Sequence, residues 1–115
     1  MFEYYVKLLR ATDKKAMGNA VLSYDGGILF WHGYIPEEDT PYGAQIREGS
    51  MLYPGKVILF LPMSNVIETS GQIMLSGSLS YALQNDLKWA DLKGKLVMIH
   101  TDRDEYCGFI SSEAR

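Results

Sequence analysis

Hydrophobic and polar positions alternate with a period of two along much of the chain, a pattern that predicts β-strands. Between residues 2 and 10, the residues Phe2, Tyr4, Val6 and Leu8 fall on one face. Tyrosine and valine favour strands over helices. We therefore predict a first strand over residues 2–10.

A tight hairpin turn is predicted at the Asp-Gly-Gly sequence 25–27, between strands over residues 18–24 and 28–35. Glycine accepts a positive φ at little cost, as a two- or three-residue hairpin loop requires. The second arm contains the adjacent residues Phe30 and Trp31. Because neighbouring strand residues point to opposite faces, one of these rings must leave the face that the other occupies.

Further short strands are expected in the second half of the chain. They are predicted over residues 57–62, 64–70, 71–83, 95–100 and 105–110, with a break in 71–83 near Ser76-Gly77. Residues 84–94 predict a turn or a short helix.

Residues 36–56 contain three of the four prolines and three glycines. They predict a long loop or insertion, or a broken edge strand at residues 44–47. Loops of this length in a compact domain are uncommon and often functional.

Six to eight short strands with at most one short helix predict a mostly β fold, a small antiparallel β-barrel or sandwich. A chain of 115 residues suits a single domain, here residues 1–115, and is long enough to bury one core. The predicted core consists of apolar strand residues: Val6, Leu8, Leu22, Ile28, Phe30, Val57, Leu59, Leu61, Ile73, Leu75, Val97, Ile99 and Phe109.

The charge balance disfavours nucleic acid as a partner. Eleven lysines and arginines face fourteen acidic residues, for a net charge of −3, whereas nucleic-acid binding depends on basic patches. The chain shows neither a signal-peptide pattern nor an apolar run of about 20 residues. A single cysteine cannot form an internal disulfide, so we expect a chain without a transmembrane segment in the reducing cytoplasm.

The sequence offers few groups for catalysis or metal binding. His32, His100 and Cys107 are its only histidines and cysteine, and a zinc site needs a larger cluster of ligands. A nucleophilic pair of Cys107 and His100 is one hypothesis, but a small buried apolar side chain is the favoured interpretation of this cysteine. We predict no catalytic residue, no metal and no cofactor, and hence no enzyme.

Surface recognition remains as the expected activity. The densest basic stretch is Arg10, Lys14 and Lys15, in the loop after the first strand. It is either a solvated turn or a site for an anionic ligand. Phe30 is assigned to the core and Trp31 joins the three basic residues as a candidate ligand-binding residue, while the sequence leaves open which of the two rings is exposed.

Three segments carry a resemblance to a known family. The strand GNAVLS at 18–23, the aromatic strand ILFW at 28–31 and the run FLPMSNVI at 60–67 resemble the start of a GRAM or bacterial pleckstrin-homology-like domain. Residues 95–110 resemble the later hairpin of the same fold.

This resemblance implies a partly open, seven-stranded barrel that binds phosphoinositides, membranes or protein segments. The lipid site of the family would map onto Arg10, Lys14 and Lys15. The chain departs from the family pattern in having residues 36–56 as an insertion, and it lacks the pattern of the family's C-terminal capping helix.

A second resemblance covers residues 92–110. The pattern Leu-x-Gly-x-x-Val-x-Ile at 92–99, followed by Tyr-x-Gly-x-Ile at 106–110, resembles the opening hairpin of a Sm-like or SH3-like barrel. Such barrels bind RNA or peptides. The later Sm strands, which carry the RNA contacts, have no counterpart after this hairpin.

Three functional hypotheses follow from these patterns. The first is a non-enzymatic binding module that recognises a phospholipid headgroup or a protein segment. The second is a subunit of a viral or other protein assembly, which would form homo-oligomers by strand addition. The third is a hydrolase that uses Cys107.

Overall fold

The computed structural model describes residues 2–36, 39–80 and 88–112. These residues form nine strands and one 3-10 turn: β1 (Phe2–Arg10), β2 (Ala16–Asp25), β3 (Ile28–Pro36), β4 (Pro41–Gly49), β5 (Pro54–Phe60), β6 (Asn65–Thr69), β7 (Gln72–Ser80), the turn Trp89–Leu92, β8 (Leu96–Thr101) and β9 (Glu105–Ser111). The described ranges contain no α-helix, and no helix long and apolar enough to cross a membrane.

All nine strands belong to one antiparallel sheet in the order β5-β4-β8-β9-β1-β2-β3-β7-β6. The prediction of a mostly β, antiparallel fold is therefore confirmed. The sheet is not closed, because β5 and β6 form its two edges.

The connection between the two edge strands forces the sheet to curl. Four residues, 61–64, join the end of β5 to the start of β6, and five Cα steps reach at most about 17 Å. The edges of a flat nine-stranded sheet would lie about 38 Å apart, since neighbouring strands are about 4.8 Å apart. The edges must approach each other, which gives the sheet a concave inner face and a convex outer face.

The predicted hairpin between β2 and β3 is confirmed. Asp25 lies opposite Ile28, so the loop consists of Gly26 and Gly27 alone. Both glycines have positive φ, 59° and 83°, a conformation that most other residues avoid. This short loop fixes the register of β3, because a loop one residue longer would move its side chains to the other face.

That register corrects the predicted core of β3. Leu22, which points inward, lies opposite Trp31, so Trp31 also points inward and is only 2% exposed. Of the two adjacent rings, Trp31 is therefore the buried one, which answers the question that the sequence left open. Phe30 and Ile28, both predicted in the core, are instead on the outer face, and Phe30 is 43% exposed.

The same argument corrects β9. Ile110 lies opposite the buried Val6 of β1, so the inward positions of β9 are those of Ile110 and its alternate neighbours. Phe109, predicted in the core, therefore points outward and is 48% exposed.

Nine of the thirteen predicted core residues are buried. They are Val6, Leu8, Leu22, Leu59, Leu61, Ile73, Leu75, Val97 and Ile99, while Val57 is half-buried. Further core residues that were not predicted include Leu29, Ile35, Ile46, Leu92, Tyr106 and Ile110.

The predicted long loop over 36–56 is wrong, because residues 41–49 form strand β4 and residues 54–56 begin β5. Strand β4 lies between β5 and β8 in the sheet and buries Ala44 and Ile46 on the inner face. Gln45 and Arg47 alternate with these residues and face outward. Because they are polar and the surrounding sequence is rich in proline and glycine, the strand was not predicted over its full length. The predicted break near Ser76-Gly77 is also wrong, since β7 continues to Ser80.

The predicted turn or short helix over 84–94 is described only from residue 88. Residues 81–87, which include the end of the strand predicted over 71–83, lie outside the described ranges. Within the 3-10 turn, Leu92 is buried in the core and Trp89 stacks on Tyr4 with ring centroids 4.3 Å apart.

The chain crosses the inner face of the sheet just before β6. The indole N–H of Trp31 donates a 2.6 Å hydrogen bond to the carbonyl oxygen of Pro62. Gly77 lies opposite Trp31, and a Cβ atom on Gly77 would meet the same Pro62 oxygen at 2.1 Å. The crossing therefore depends on a glycine at this position.

Candidate functional site

Two of the three basic side chains of the predicted loop are bound by other groups of the same loop. The guanidinium of Arg10 binds both carboxylate oxygens of Asp13, at 2.6 and 3.2 Å. This hydrogen bonding raises the pKa of Arg10 and lowers the pKa of Asp13 to about 2. The ammonium of Lys14 donates to the carbonyl oxygen of Ala11 at 2.8 Å. Of the predicted cations, only Lys15 has an uncommitted side chain among the described residues.

A cavity of about 280 Å³ opens beside this loop. We call it the charged cavity, and its lining comprises Arg10, Thr12, Asp13, Asp39, Arg103 and Asp104. Three carboxylates against two guanidinium groups give this lining a formal charge of −1, so it does not present a basic surface. Lys14 and Lys15 do not line it.

The carboxylates of the charged cavity each have a protein partner. Besides the Arg10–Asp13 pair, the hydroxyl of Thr12 donates to Asp104 and the hydroxyl of Tyr106 donates to Asp39. Burial, followed by the hydrogen bond to Asp39, raises the pKa of Tyr106.

The lowered pKa of Asp104 also reflects hydrogen bonds from within the protein. Burial acts to raise this pKa, but hydrogen bonds from the Thr12 hydroxyl and the Glu105 backbone amide outweigh burial and lower it. The charged cavity is therefore a polar network that holds together the loops at one end of the sheet.

A second cavity, of about 310 Å³, lies where β3, β7 and the start of β6 meet. We call it the uncharged cavity, and its lining comprises Phe30, Trp31, His32, Ser64, Asn65, Ser76, Gly77 and Ser78. Phe30 lies opposite Ser78 and His32 opposite Ser76, so outward-pointing side chains of two strands form its walls. Trp31 and Gly77, which lie between these outward-pointing residues and face the inner side of the sheet, form its floor.

The polar side chains of the uncharged cavity are uncommitted. Among the described residues, Ser64, Asn65, Ser76 and Ser78 have no side-chain hydrogen-bond partner, and His32 makes only an edge contact with the ring of Tyr34. In contrast to the charged cavity, their hydrogen-bonding capacity is available to a ligand or to water.

A third cavity, of about 280 Å³, lies on the outer face of β1 and β9. It is lined mainly by apolar groups: Tyr5, Lys7, Leu9, Met51, Gly108, Phe109 and Ser111. Met51, from the loop between β4 and β5, packs against a small buried cluster of Leu96, Met98 and Cys107 beside it.

The edge strand β6 is exposed along its whole length. Every residue of Asn65–Thr69 is exposed, including Val66 and Ile67 at 51% and 47%. One side of β6 pairs with β7, while its other side has no strand partner in the described residues. Val66 and Ile67 point to opposite faces of the sheet.

The structure does not assemble the hypothetical pair of Cys107 and His100. Cys107 is buried and burial raises the pKa of its thiol, which disfavours the nucleophilic thiolate. The ring nitrogens of His100 lie 2.8 Å from a carboxylate oxygen of Glu105 and 3.1 Å from the side-chain oxygen of Gln45. Across the described residues, no three metal-ligating side chains cluster.

Family models, curated proteins and solved structures were each compared with the chain, and none of the three comparisons gave a match. The resemblance of residues 18–67 and 95–110 to a GRAM or pleckstrin-homology-like domain accordingly stays a prediction.

Of the predicted site residues, Trp31 lines the uncharged cavity. The rest of this cavity and the open edge were not predicted from the sequence. A signal for the cavity exists in β7, where Ser76, Ser78 and Ser80 alternate with apolar or small residues and so share the outer face. The signal for the edge is weaker, because Asn65–Thr69 has ordinary strand composition and only the sheet order reveals that it is an edge.

Proposed function

We propose that this chain is a non-enzymatic binding module that takes an extended segment of a partner protein as an added strand along β6. The observation that carries the proposal is the full exposure of this edge strand together with its two apolar residues, Val66 and Ile67. Unpaired backbone groups on an edge strand form a template for a further strand.

The side chains of β6 suit such a segment. Val66 and Ile67 offer one apolar contact on each face of the sheet, while Glu68 is the only charged residue of the strand. Backbone hydrogen bonds would supply affinity, and alternate side chains of the added segment would contact Val66 or Ile67. An uncharged, apolar-rich segment fits this edge best.

A protein segment is better supported than an anionic lipid headgroup. A headgroup site needs free cations, yet Arg10 is held by Asp13 and Lys14 by a backbone carbonyl. The adjacent charged cavity carries a formal charge of −1, which would repel a phosphate.

The proposal includes a pleckstrin-homology-like, partly open barrel as the architecture. It is supported by the curled antiparallel sheet, whose edge strands β5 and β6 are joined by only four residues. The free thiol of Cys107 is compatible with the proposed cytoplasmic location.

The test is selection of a random peptide library on the immobilised chain. We expect enrichment of short, apolar-rich peptides, and shifts of the β6 backbone amides in a two-dimensional ¹H–¹⁵N spectrum when a selected peptide is added. Ile67→Lys should weaken binding about tenfold or more, because charged side chains block edge pairing.

Phe109→Lys is the matched control, since Phe109 has nearly the same exposure as Ile67, 48% against 47%, but lies on an interior strand of the sheet. It should leave binding unchanged. Equal loss in both variants, or peptide shifts confined to other strands, would reject the edge as the binding site.

A second candidate, a subunit of a homo-oligomeric assembly, is favoured by a register in which β6 can pair with its own copy without like-charge contacts. In a two-fold antiparallel pair centred on Ile67, each Ile67 lies opposite its copy, Asn65 opposite Thr69, and Val66 opposite Glu68. No like charges meet in this register, so a second copy can extend the sheet.

Ile67→Cys tests this register directly, because the two introduced thiols would lie opposite each other. Mild oxidation should give a covalent dimer of Ile67→Cys but not of Val66→Cys, whose thiol would face Glu68. A monomeric mass by light scattering together with no cross-linking of Ile67→Cys would exclude assembly through this edge.

A further inference from the structure

We infer that the uncharged cavity is a second binding site, which takes a neutral, hydroxyl-rich ligand with a flat apolar face, namely a pyranose sugar. The site shares Asn65 with the β6 edge but does not depend on the function proposed for that edge. Its lining combines three serine hydroxyls, one carboxamide, one imidazole and one half-exposed aromatic ring.

The charge of the lining selects the class of ligand. Among the residues that the structure describes, no aspartate, glutamate, lysine or arginine contributes to this cavity. Ionic ligands lose hydration on binding and need an opposite charge to offset that loss. A neutral ligand avoids this cost, and so the cavity favours an uncharged molecule over a phosphate or an ammonium group.

The hydrogen-bonding groups match the chemistry of sugar hydroxyls. Serine hydroxyls and the Asn65 carboxamide each donate and accept, as do the hydroxyls of a sugar. Ser64, Asn65, Ser76 and Ser78 are uncommitted to other described residues. A sugar can therefore bind to these groups without breaking any internal hydrogen bond of the protein.

The aromatic ring supplies the apolar contact. Phe30 is 43% exposed at the wall of the cavity, and the face of an aromatic ring carries partial negative charge that attracts C–H groups. Phe30 and Ser78 form one cross-strand pair, and His32 and Ser76 form the next on the same face. These rows lie about 7 Å apart, so one sugar ring with its hydroxyls can contact both.

The floor of the cavity is held in place without a ligand. The Trp31 indole is bonded to the Pro62 carbonyl at 2.6 Å, and Gly77 allows that carbonyl to lie against the sheet. Binding then requires little ordering of the protein, which limits its entropic cost. A volume of about 310 Å³ is at the lower end for ligand sites, and it suits one sugar unit rather than an extended chain.

The experiment is a ¹H–¹⁵N titration of the chain with methyl glucoside, methyl galactoside, methyl mannoside and N-acetylglucosamine. We expect at least one sugar to shift the backbone amides of Phe30, Ser76 and Ser78 in a saturable manner, with a dissociation constant in the millimolar range. Phe30→Ala should weaken this binding about tenfold, and the double variant Ser76→Ala with Ser78→Ala should weaken it as well.

Phe60→Ala is the control for loss of an exposed ring, because Phe60 is exposed on β5 and does not line the cavity. It should bind the sugar as the native chain does. Ile67→Lys should also bind normally, which separates this site from the β6 edge. Glucose 6-phosphate is titrated as the charged comparison for methyl glucoside. Failure to shift these amides with any of the four sugars, equal affinity of Phe30→Ala, or stronger binding of glucose 6-phosphate than of methyl glucoside would overturn the inference.

Discussion

The two polar cavities have similar volumes, about 280 and 310 Å³, but opposite chemistry. The charged cavity contains five ionisable side chains, and each of its carboxylates is bound by a neighbouring group: Arg10 with Asp13, Thr12 with Asp104 and Tyr106 with Asp39. The uncharged cavity contains five polar side chains with no hydrogen-bond partner among the described residues.

The proposal for the uncharged cavity implies that charge density is a poor guide to where a ligand binds. A group that is already paired must break that pair before it can bind something else, and the lost interaction is subtracted from affinity. The charged cavity therefore serves the stability of the loops. The polar side chains of the uncharged cavity have no hydrogen-bond partner among the described residues, so they add no internal hydrogen bond to stability and, under the proposal above, are available to a ligand.

The largest expected loss of stability comes from a substitution in the floor of the uncharged cavity. Gly77→Ala places a Cβ atom 2.1 Å from the Pro62 carbonyl oxygen, so the crossing segment must move or the sheet must distort. We expect the free energy of unfolding to fall by about 3 kcal/mol, measured by urea denaturation.

Gly43→Ala is the matched control, because the nearest atom to its new Cβ is a side-chain carbon of His100 at 3.8 Å. That distance is an ordinary van der Waals contact, and the variant should be as stable as the native chain. Similar stability of Gly77→Ala and Gly43→Ala would contradict the close crossing at Pro62.

A smaller loss of stability is expected from a substitution beside the charged cavity. Tyr106→Phe removes the hydroxyl that donates to Asp39 and leaves a buried carboxylate without that partner. The free energy of unfolding should fall by about 2 kcal/mol.

Tyr42→Phe provides the comparison for loss of an exposed hydroxyl, since Tyr42 is exposed on the outer surface. It should change stability little. If Ser76→Ala in the uncharged cavity destabilised the chain as much as Tyr106→Phe, the division between a structural and a free cavity would be wrong.

The fold class could be predicted from the sequence because its main signal is local. Alternation located most strands, and the two glycines of the β2–β3 turn located the hairpin. The prediction failed at β4, where Gln45 and Arg47 interleave with Ala44 and Ile46 between prolines and glycines. Burial of that strand comes from its neighbours β5 and β8, which the local sequence does not reveal.

The prediction of which residues of β3 face inward also failed, and the failure has a clear physical cause. Ile28 and Phe30 are as hydrophobic as Leu29 and Trp31, so composition alone cannot choose between the two faces. The two-residue turn makes the choice, since it places Trp31 opposite Leu22. A stricter use of the loop length would have assigned Trp31 to the core.

The candidate site was less predictable than the fold. Arg10, Lys14 and Lys15 are conspicuous in the sequence, but the pairing of Arg10 with Asp13 and of Lys14 with the backbone of Ala11 appears only once the loop has folded. The uncharged cavity joins residues from β3, β6 and β7 that are up to 48 positions apart, from Phe30 to Ser78. Only the sheet order brings them together.

A still smaller effect is expected on the pKa of Asp13, which lines the charged cavity. Its pKa is lowered to about 2 by the hydrogen bond from Arg10, so Asp13 favours the folded state above its ordinary pKa near 3.8 and loses this contribution as the pH falls towards 2. Arg10→Gln should raise the pKa of Asp13 in a carboxylate NMR titration. Lys7→Gln, which changes an equal charge outside the cavity, should not; an ordinary pKa in the native chain would contradict the pairing.

The smallest effect is expected at the lysines of the basic loop. Because Lys14 is bonded within its loop and the nearby cavity carries a net negative lining, the double variant Lys14→Ala with Lys15→Ala should sediment with phosphatidylserine vesicles to the same low extent as the native chain. Vesicles of phosphatidylcholine alone provide the baseline. Strong sedimentation of the native chain that is lost in the double variant and at high salt would show that these lysines bind an anionic surface. In that case the pairing of charges within a loop would not prevent recognition, and the contrast between the two cavities would no longer predict where ligands bind.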